Sequence, residues 1–441
     1  MKIMASNFLI ACCLMNALVP MQAASWDVNS KETQMPKTGG WADYGTGTTG
    51  GLEASEEHIF TVTNKKELVD ALNGGPRGRH DTPKVIYIQG TIDINVDANN
   101  NPVGREYYAD PEYCFASYIE EYSPENWGYE KEPYGPLEDA RARSAANQAN
   151  AIRLRVGSNT TIMGLGNDAR VVGGSFVLAR LNSISVNNII IQNLHIDAPV
   201  DFFPEWDPTD GNFGEWNSEY DAIQINQGAH HVWVNHNTLT GGEHPDKRGG
   251  QMFGRTFMEY DGLLDVTNQS NYITASYNIF HDFDKVTIIG GSDRTIADRD
   301  HLKVTLHNNY YKNTRQRTPR VRFGEVHLYN NYYELSSEGN YSSSYAWGVG
   351  VESKGYYENN YFSTSQSIDP SRLIKVFGGT SIYESGNYVD GVETNLMALY
   401  NAANPMEQIN SNVGWVPSFY NQIIPTHEVP AYVMANAGVR P

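Results

Sequence analysis

One phrase recurs from Val232 to Phe362 and narrows the folds open to the chain. It consists of an apolar residue, a spacer, an apolar residue, two spacers, Asn, a spacer and a large apolar residue. It stands around Asn237 (Val232, Val234, Leu239), Asn278 (Ile273, Ala275, Phe280), Asn309 (Val304, Leu306, Tyr311) and Asn331 (Val326, Leu328, Tyr333), with a looser copy at Asn360 between Tyr357 and Phe362. Successive Asn positions are 41, 31, 22 and 29 residues apart. A unit of roughly 22 to 30 residues carrying insertions is the period of a solenoid. Two-residue alternation of Val, Ile, Tyr and Phe selects strands over helices. Short parallel strands stacked coil on coil bury one continuous core, and an Asn at each bend can bond to the Asn of the next coil as a ladder. The competing reading is turn chemistry in an ordinary sandwich.

Earlier segments, Val85–Ile88, Thr160–Ile162 and Ile189–Ile191, add coils toward the N-terminus. Glu67 to Leu72 reads as a short helix that plugs the open end and covers its edge. Three segments break the repeat: about 97–150, with a helix expected over Leu137 to Ala151, 201–220 and 240–258. Insertions in a solenoid gather on one face, which is often the binding face. Residues 390–441 carry no repeat and are expected to pack on the outside, covering Trp415, Tyr420 and Tyr432.

Residues 1–24 read as a secretory signal peptide: Lys2, an apolar run from Phe8 to Val19, Pro20, then the small residues Ala23 and Ala24. The run is well short of the ~20 residues of a membrane span. Leu9-Ile10-Ala11-Cys12 also resembles a lipobox, with too short an apolar stretch before it. Cleavage removes Cys12 and Cys13 and leaves Cys114 alone, so stability must come from core size and not from a disulfide. The remainder, 25–441, is expected to be a single domain, secreted to the exterior or a periplasm, without membrane attachment and monomeric.

The chain is acidic, with 51 Asp and Glu against 32 Lys and Arg and a net charge of −19. A nucleic-acid binder would carry a broad basic face, which this chain lacks. Against that background the cluster Arg315, Arg317, Arg320 and Arg322 suggests a locally gripped anion such as a sugar acid. Asp261 and Asp265, at even spacing, share one face of a strand, and Asp221 can join them. Such hard oxygen ligands, with no nearby Cys and no His pair at metal spacing, point to calcium before zinc, and Glu219 is a possible fourth ligand. His236, His281, His307 and His327 sit beside repeat Asn positions and read as structural.

Several stretches together resemble polysaccharide lyase family 1, the pectate lyases: Val232-Trp-Val-Asn-His-Asn237, Phe253-Gly-Arg255, Asp261-Gly-Leu-Leu-Asp265, Tyr277-Asn278, His281-Asp-Phe-Asp-Lys285, Ile289-Gly-Gly-Ser-Asp293 and Arg317-Thr-Pro-Arg-Val-Arg-Phe-Gly324. The match is dense from about 150 to 335 and thinner over the rest. It implies an all-β, right-handed parallel β-helix with long loops on one face. It further implies calcium ligands at Asp221, Asp261 and Asp265, a catalytic base at Arg317, and substrate carboxylate binders at Lys285 and Arg322. Asn235 departs from the family's usual Asp in the Trp-x-Asp-His phrase, and this is read as structural.

Polygalacturonate can be cut by taking the proton at C5, beside the carboxylate, and expelling the glycosidic oxygen from C4. Calcium on the Asp set, with Lys285 and Arg322, would withdraw carboxylate charge and stabilise the enolate-like transition state. Arg317 is an awkward base, because a free guanidinium keeps its proton up to ~12. Positive neighbours favour its neutral form and predict an alkaline optimum. The alternatives are a hydrolase with paired carboxylates, a pectin lyase on methyl esters, and a glycan-binding solenoid without catalysis.

Overall fold

The computed structural model describes residues 37–242 and 250–440. The signal peptide reading and residues 243–249 of the third insertion lie outside the described residues. Each repeat phrase forms one corner of a coil. In one coil the strand Asn271–Ser276 leads to the bend at Asn278, then to Ile279–Lys285, then to Ile288–Ile289. Neighbouring coils pair parallel in register, as in Val232↔Ile273↔Val304↔Val326, all four fully buried. The strands on either side of the Asn bends belong to an 18-stranded sheet, and the third strand of each coil to an 8-stranded sheet. The result is a right-handed parallel β-helix, as the resemblance implied.

The ladder is present at every expected rung. Asn237, Asn278, Asn309 and Asn331 each donate Nδ2–H to the Oδ1 of the next, at 3.0–3.1 Å, ending on Asn360. Asn360 in turn donates to Asn387, a rung the phrase missed because Glu384 fills its second apolar position. At the other end Leu194 takes the rung position and its amide donates to Asn237 Oδ1. The residue before each rung is left-handed: His236, Tyr277, Asn308, Asn330, Asn359 and Gly386 have φ of 52–63°. The bend requires that conformation, which Gly adopts freely and Asn more readily than most. The large apolar residue after each rung stacks inside: Phe280, Tyr311, Tyr333 and Phe362 have ring centroids 4.4–5.2 Å apart, close to the coil spacing.

The capping helix spans Lys65–Leu72, N-capped by Asn64 Oδ1 on the Glu67 amide, and buries Leu68, Ala71 and Leu72 over the first coils. The longer helix is Pro136–Ile152, with Pro at its first turn. The three insertions do converge on one face. Tyr118 and Tyr122 from the first, Trp206 and Trp216 from the second, and Phe257 from the third form one aromatic cluster. In the C-terminal segment, Val429 and Val433 pack on Tyr310 and Tyr332, and Trp415 Nε1 donates to Lys354 O. Tyr420 differs from expectation and stays 54% exposed, in a T-shaped contact with His327.

The histidines are placed as structural groups. His307 is buried between Thr38 O and Asn308 Oδ1, and His327 meets Glu358. His236 stacks on Tyr277, and His281 pairs with Asp282. Asn235 Oδ1 accepts from Ser276 Oγ, which accepts from Trp233 Nε1, so the departure is absorbed by a buried hydrogen-bond chain.

Candidate active site

Four adjacent strands of the 8-stranded sheet, Ile223–Ile225, Leu264–Val266, Ile288–Ile289 and Arg320–Val321, pair parallel in that order. Asp221 lies just before the first, Asp265 within the second, Lys285 and Arg317 just before the third and fourth, and Arg322 just after the fourth. Coil stacking thus gathers groups spread over about a hundred residues of sequence. Strand alternation does not place Asp261, which precedes its strand. The carboxylate comes instead from the irregular stretch that precedes the strand.

Asp221, Asp261 and Asp265 each offer an oxygen within 4.8 Å of the others. Asp221 and Asp265 are 2% and 7% exposed. Asp221 Oδ1 is buried without a hydrogen-bond partner, and Oδ2 has only a long 3.4 Å contact from Gln224. Asp265 Oδ1 accepts the Ile288 amide at 2.9 Å. Burial drives the Asp221 and Asp265 carboxyls above their usual range, and the neighbouring Asp charges add to it. Gly262 explains itself here, since a Cβ would sit 2.5 Å from Asp221 Oδ1 and 2.9 Å from Asp265 Oδ1, filling the space between the carboxylates. A bare oxygen, three convergent carboxylates and a gap kept clear by glycine fit a hard cation. Glu219 does not join them, because its half-exposed carboxylate pairs with Arg153 at 3.1 Å.

Lys285 Nζ donates to Asp261 Oδ1 at 2.7 Å. Arg317 has a left-handed backbone (φ 59°) and a buried Nε without a partner. Its neighbours are committed elsewhere: Arg315 to Asp284, and Arg322 to Asp293 through Nε and to the Gly290 and Gly291 carbonyls through Nη1. Among the described residues no ion pair joins Arg317 to a carboxylate. Arg320 stacks over Phe377, and burial followed by the charge of Arg322 lowers it to about 10.

Lys285 and Arg317 line a cleft of about 520 Å³ with Arg315, Gln316, Trp216 and Arg255. The opposing wall comes from two hairpins in the insertions, Glu205–Asp207 with Glu215–Asn217, and Gln251–Met252 with Arg255–Thr256. Sequence reasoning singled out neither Trp216 nor Arg255 as a cleft residue, although both lie in flagged segments and Arg255 belongs to a resemblance motif. Arg322 is not among the cleft-lining residues.

Fold and cleft define the class: a parallel β-helix with an ionic cleft along one sheet, walled by its insertions. The profile of a family described as pectate lyase matches residues 8–107 and 136–440. The chain is 44% identical over 432 residues to a pectate lyase of Bacillus subtilis (strain 168), covering 98% of each. Among solved structures it resembles a thermostable pectate lyase (TM-score 0.87, 51% identity, 92% of this chain and 98% of that one). It also resembles a pectate lyase bound to a hexasaccharide (TM-score 0.86, 44% identity, 93% and 99%). The chain belongs to the pectate lyase family, whose members are lyases acting on polysaccharides.

Proposed function

We propose that the protein is a secreted, calcium-dependent pectate lyase that cuts α-1,4-polygalacturonate and low-ester pectin by β-elimination, leaving 4,5-unsaturated oligogalacturonates. The observation that carries this reading is a cluster of three carboxylates joined, through the Lys285–Asp261 ion pair, to a cleft lined by Lys285 and Arg317. The oligosaccharide seen in a similar solved structure supports a chain-like substrate in that cleft.

Asp221, Asp261 and Asp265 would hold the calcium. When bound, calcium supplies positive charge against the uronate carboxylate and makes the adjacent C–H more acidic. Lys285, now on Asp261, is placed to turn to that carboxylate, and Arg322 offers its remaining Nη2. Arg317 takes the C5 proton onto its guanidine. The C–H electron pair forms the C4–C5 double bond, and the glycosidic oxygen leaves from C4 with its bonding pair. The signal-like residues 1–24 support secretion, and the enzyme would act as a monomer.

A methyl-ester-specific pectin lyase would leave the Asp cluster without a task, and a non-catalytic glycan binder would leave Arg317 without one. Ultraviolet absorbance of polygalacturonate incubated with the mature protein, with calcium and then with excess chelator, tests the reading. Calcium-dependent growth of the unsaturated-product band is expected. New reducing ends without that band would mean hydrolysis and overturn it.

A further inference from the structure

Two Glu-Tyr-Asp phrases, Glu219–Asp221 and Glu259–Asp261, carry the first two proposed calcium ligands on neighbouring coils. Neither Asp221 nor Asp261 lies in a strand; the Ala222 amide donates to Gly262 O at 3.1 Å and ties the two coils just after the ligands, which leaves the stretch before them to be held by other contacts. A single buried residue joins both phrases at the same offset. Asp201, 1% exposed, accepts the Glu219 amide on Oδ2 at 3.1 Å, and its own amide donates to Glu259 O at 2.7 Å. Each contact falls two residues before a ligand. Asp201 Oδ1 accepts the Phe203 amide at 2.8 Å, which fixes the carboxylate plane.

Asp201 is itself bracketed. Gln148, 1% exposed on the Pro136–Ile152 helix, donates Nε2–H to Val200 O at 2.6 Å and accepts the Phe202 amide on Oε1 at 3.0 Å. Helix, bracket and carboxylate form one hydrogen-bonded path from the first insertion to the two phrases. Partners of this kind, one step behind the ligands, commonly govern metal affinity by about 10–100-fold.

We propose that Asp201 is a positioning residue that sets the separation of Asp221 and Asp261 and thereby the calcium affinity of the site. The inference rests on the calcium reading above. In Asp201→Asn, an NH₂ must face either the Glu219 or the Phe203 amide, so one acceptor becomes a donor at constant shape. Gln148→Met removes both bracket bonds and leaves Asp201 in place.

The experiment is titration calorimetry with calcium on the purified mature protein, Asp201→Asn, Gln148→Met and Asp221→Ala, together with amide exchange at Glu219 in the calcium-free state. Asp201→Asn is expected to weaken calcium binding by about tenfold or more. Its kcat should recover at saturating calcium, and the Glu219 amide should exchange faster. Gln148→Met moves the same way by less, and serves alone if Asp201→Asn does not fold. Calcium affinity within about twofold of the parent in the folded variants, even with a lower unfolding midpoint, means a purely structural role and overturns the proposal. A parent that binds no calcium, or an Asp221→Ala variant that binds it equally well, removes instead the reading on which the proposal rests.

Discussion

Replacing Asn309 by Ala takes out the middle rung of the ladder without touching the cleft. Asn309 is fully buried, and its Oδ1 accepts both the Asn278 amide at 2.9 Å and Asn278 Nδ2–H at 3.1 Å. Its Nδ2 donates to Ala275 O and to Asn331 Oδ1. The substitution therefore strands two buried N–H groups of Asn278 in a site that water does not reach. Leaving a buried polar group unsatisfied costs about 1–3 kcal/mol, so the expected loss is about 2–6 kcal/mol. Coils contact only their neighbours, so a broken rung weakens the interfaces on both sides of it. Urea unfolding of the variant and its parent gives the difference from the midpoint shift and slope. Asn99→Ala, in an exposed loop, is the control and should stay within about 0.5 kcal/mol. A loss below about 1 kcal/mol for Asn309→Ala would show that the ladder does not stabilise the stack, and would refute the reasoning.

Burial raises Asp265 to about 7 and pushes Asp221 above the usual carboxylate range, and calcium requires both ionised. Calcium binding near neutral pH should therefore release protons, read by calorimetry in buffers of different ionisation enthalpy; binding heats independent of the buffer contradict this. Lys285→Met frees Asp261 of the one ion-pair partner it has among the described residues while removing a cation from the cleft, so calcium affinity should not fall while KM for polygalacturonate rises about tenfold. Weaker calcium binding with unchanged KM would reverse the assignment. Burial lowers His307 from 6.5 to about 4, so the folded protein binds fewer protons than the unfolded chain across that window. The corresponding stability, about 3 kcal/mol, is complete above the unfolded value and lost as pH falls toward the folded one. His307→Gln should flatten that acid limb of the stability curve, and an unchanged slope would argue against it.

The stack of coils was legible because the Asn phrase combines two signals, the alternation that makes a strand and the polar residue that the bend must satisfy. Asn387 escaped because Glu384 breaks the alternation, though its carboxylate is occupied with the Met397 amide and Asn387 itself. At the site, the resemblance motifs contained Asp261, Asp265, Lys285 and Arg317, the resemblance implied Asp221 by position, and coil stacking brings the three Asp together with Lys285 beside them. The reason given for Asp261 and Asp265, an even spacing on one strand, was not the operative one. Glu219 could not be separated from the cluster by sequence, since its pairing with Arg153 depends on a contact 66 residues away. Trp216 and Arg255 reach the cleft on hairpins packed through the insertion aromatics, and no periodic pattern marks such contacts. Asp201 was hidden for a related reason: its partners are backbone amides and carbonyls, which every residue carries.

The most direct test of the catalytic assignment is the rate of unsaturated-product formation by Arg317→Lys at saturating calcium across alkaline pH, with calcium affinity measured on the same sample. Loss of a positioned base predicts a fall of about 10²–10⁴-fold in kcat with calcium binding unchanged. Parent-like kcat in Arg317→Lys, with calcium bound as tightly as in the parent, would contradict Arg317 as the group that takes the proton.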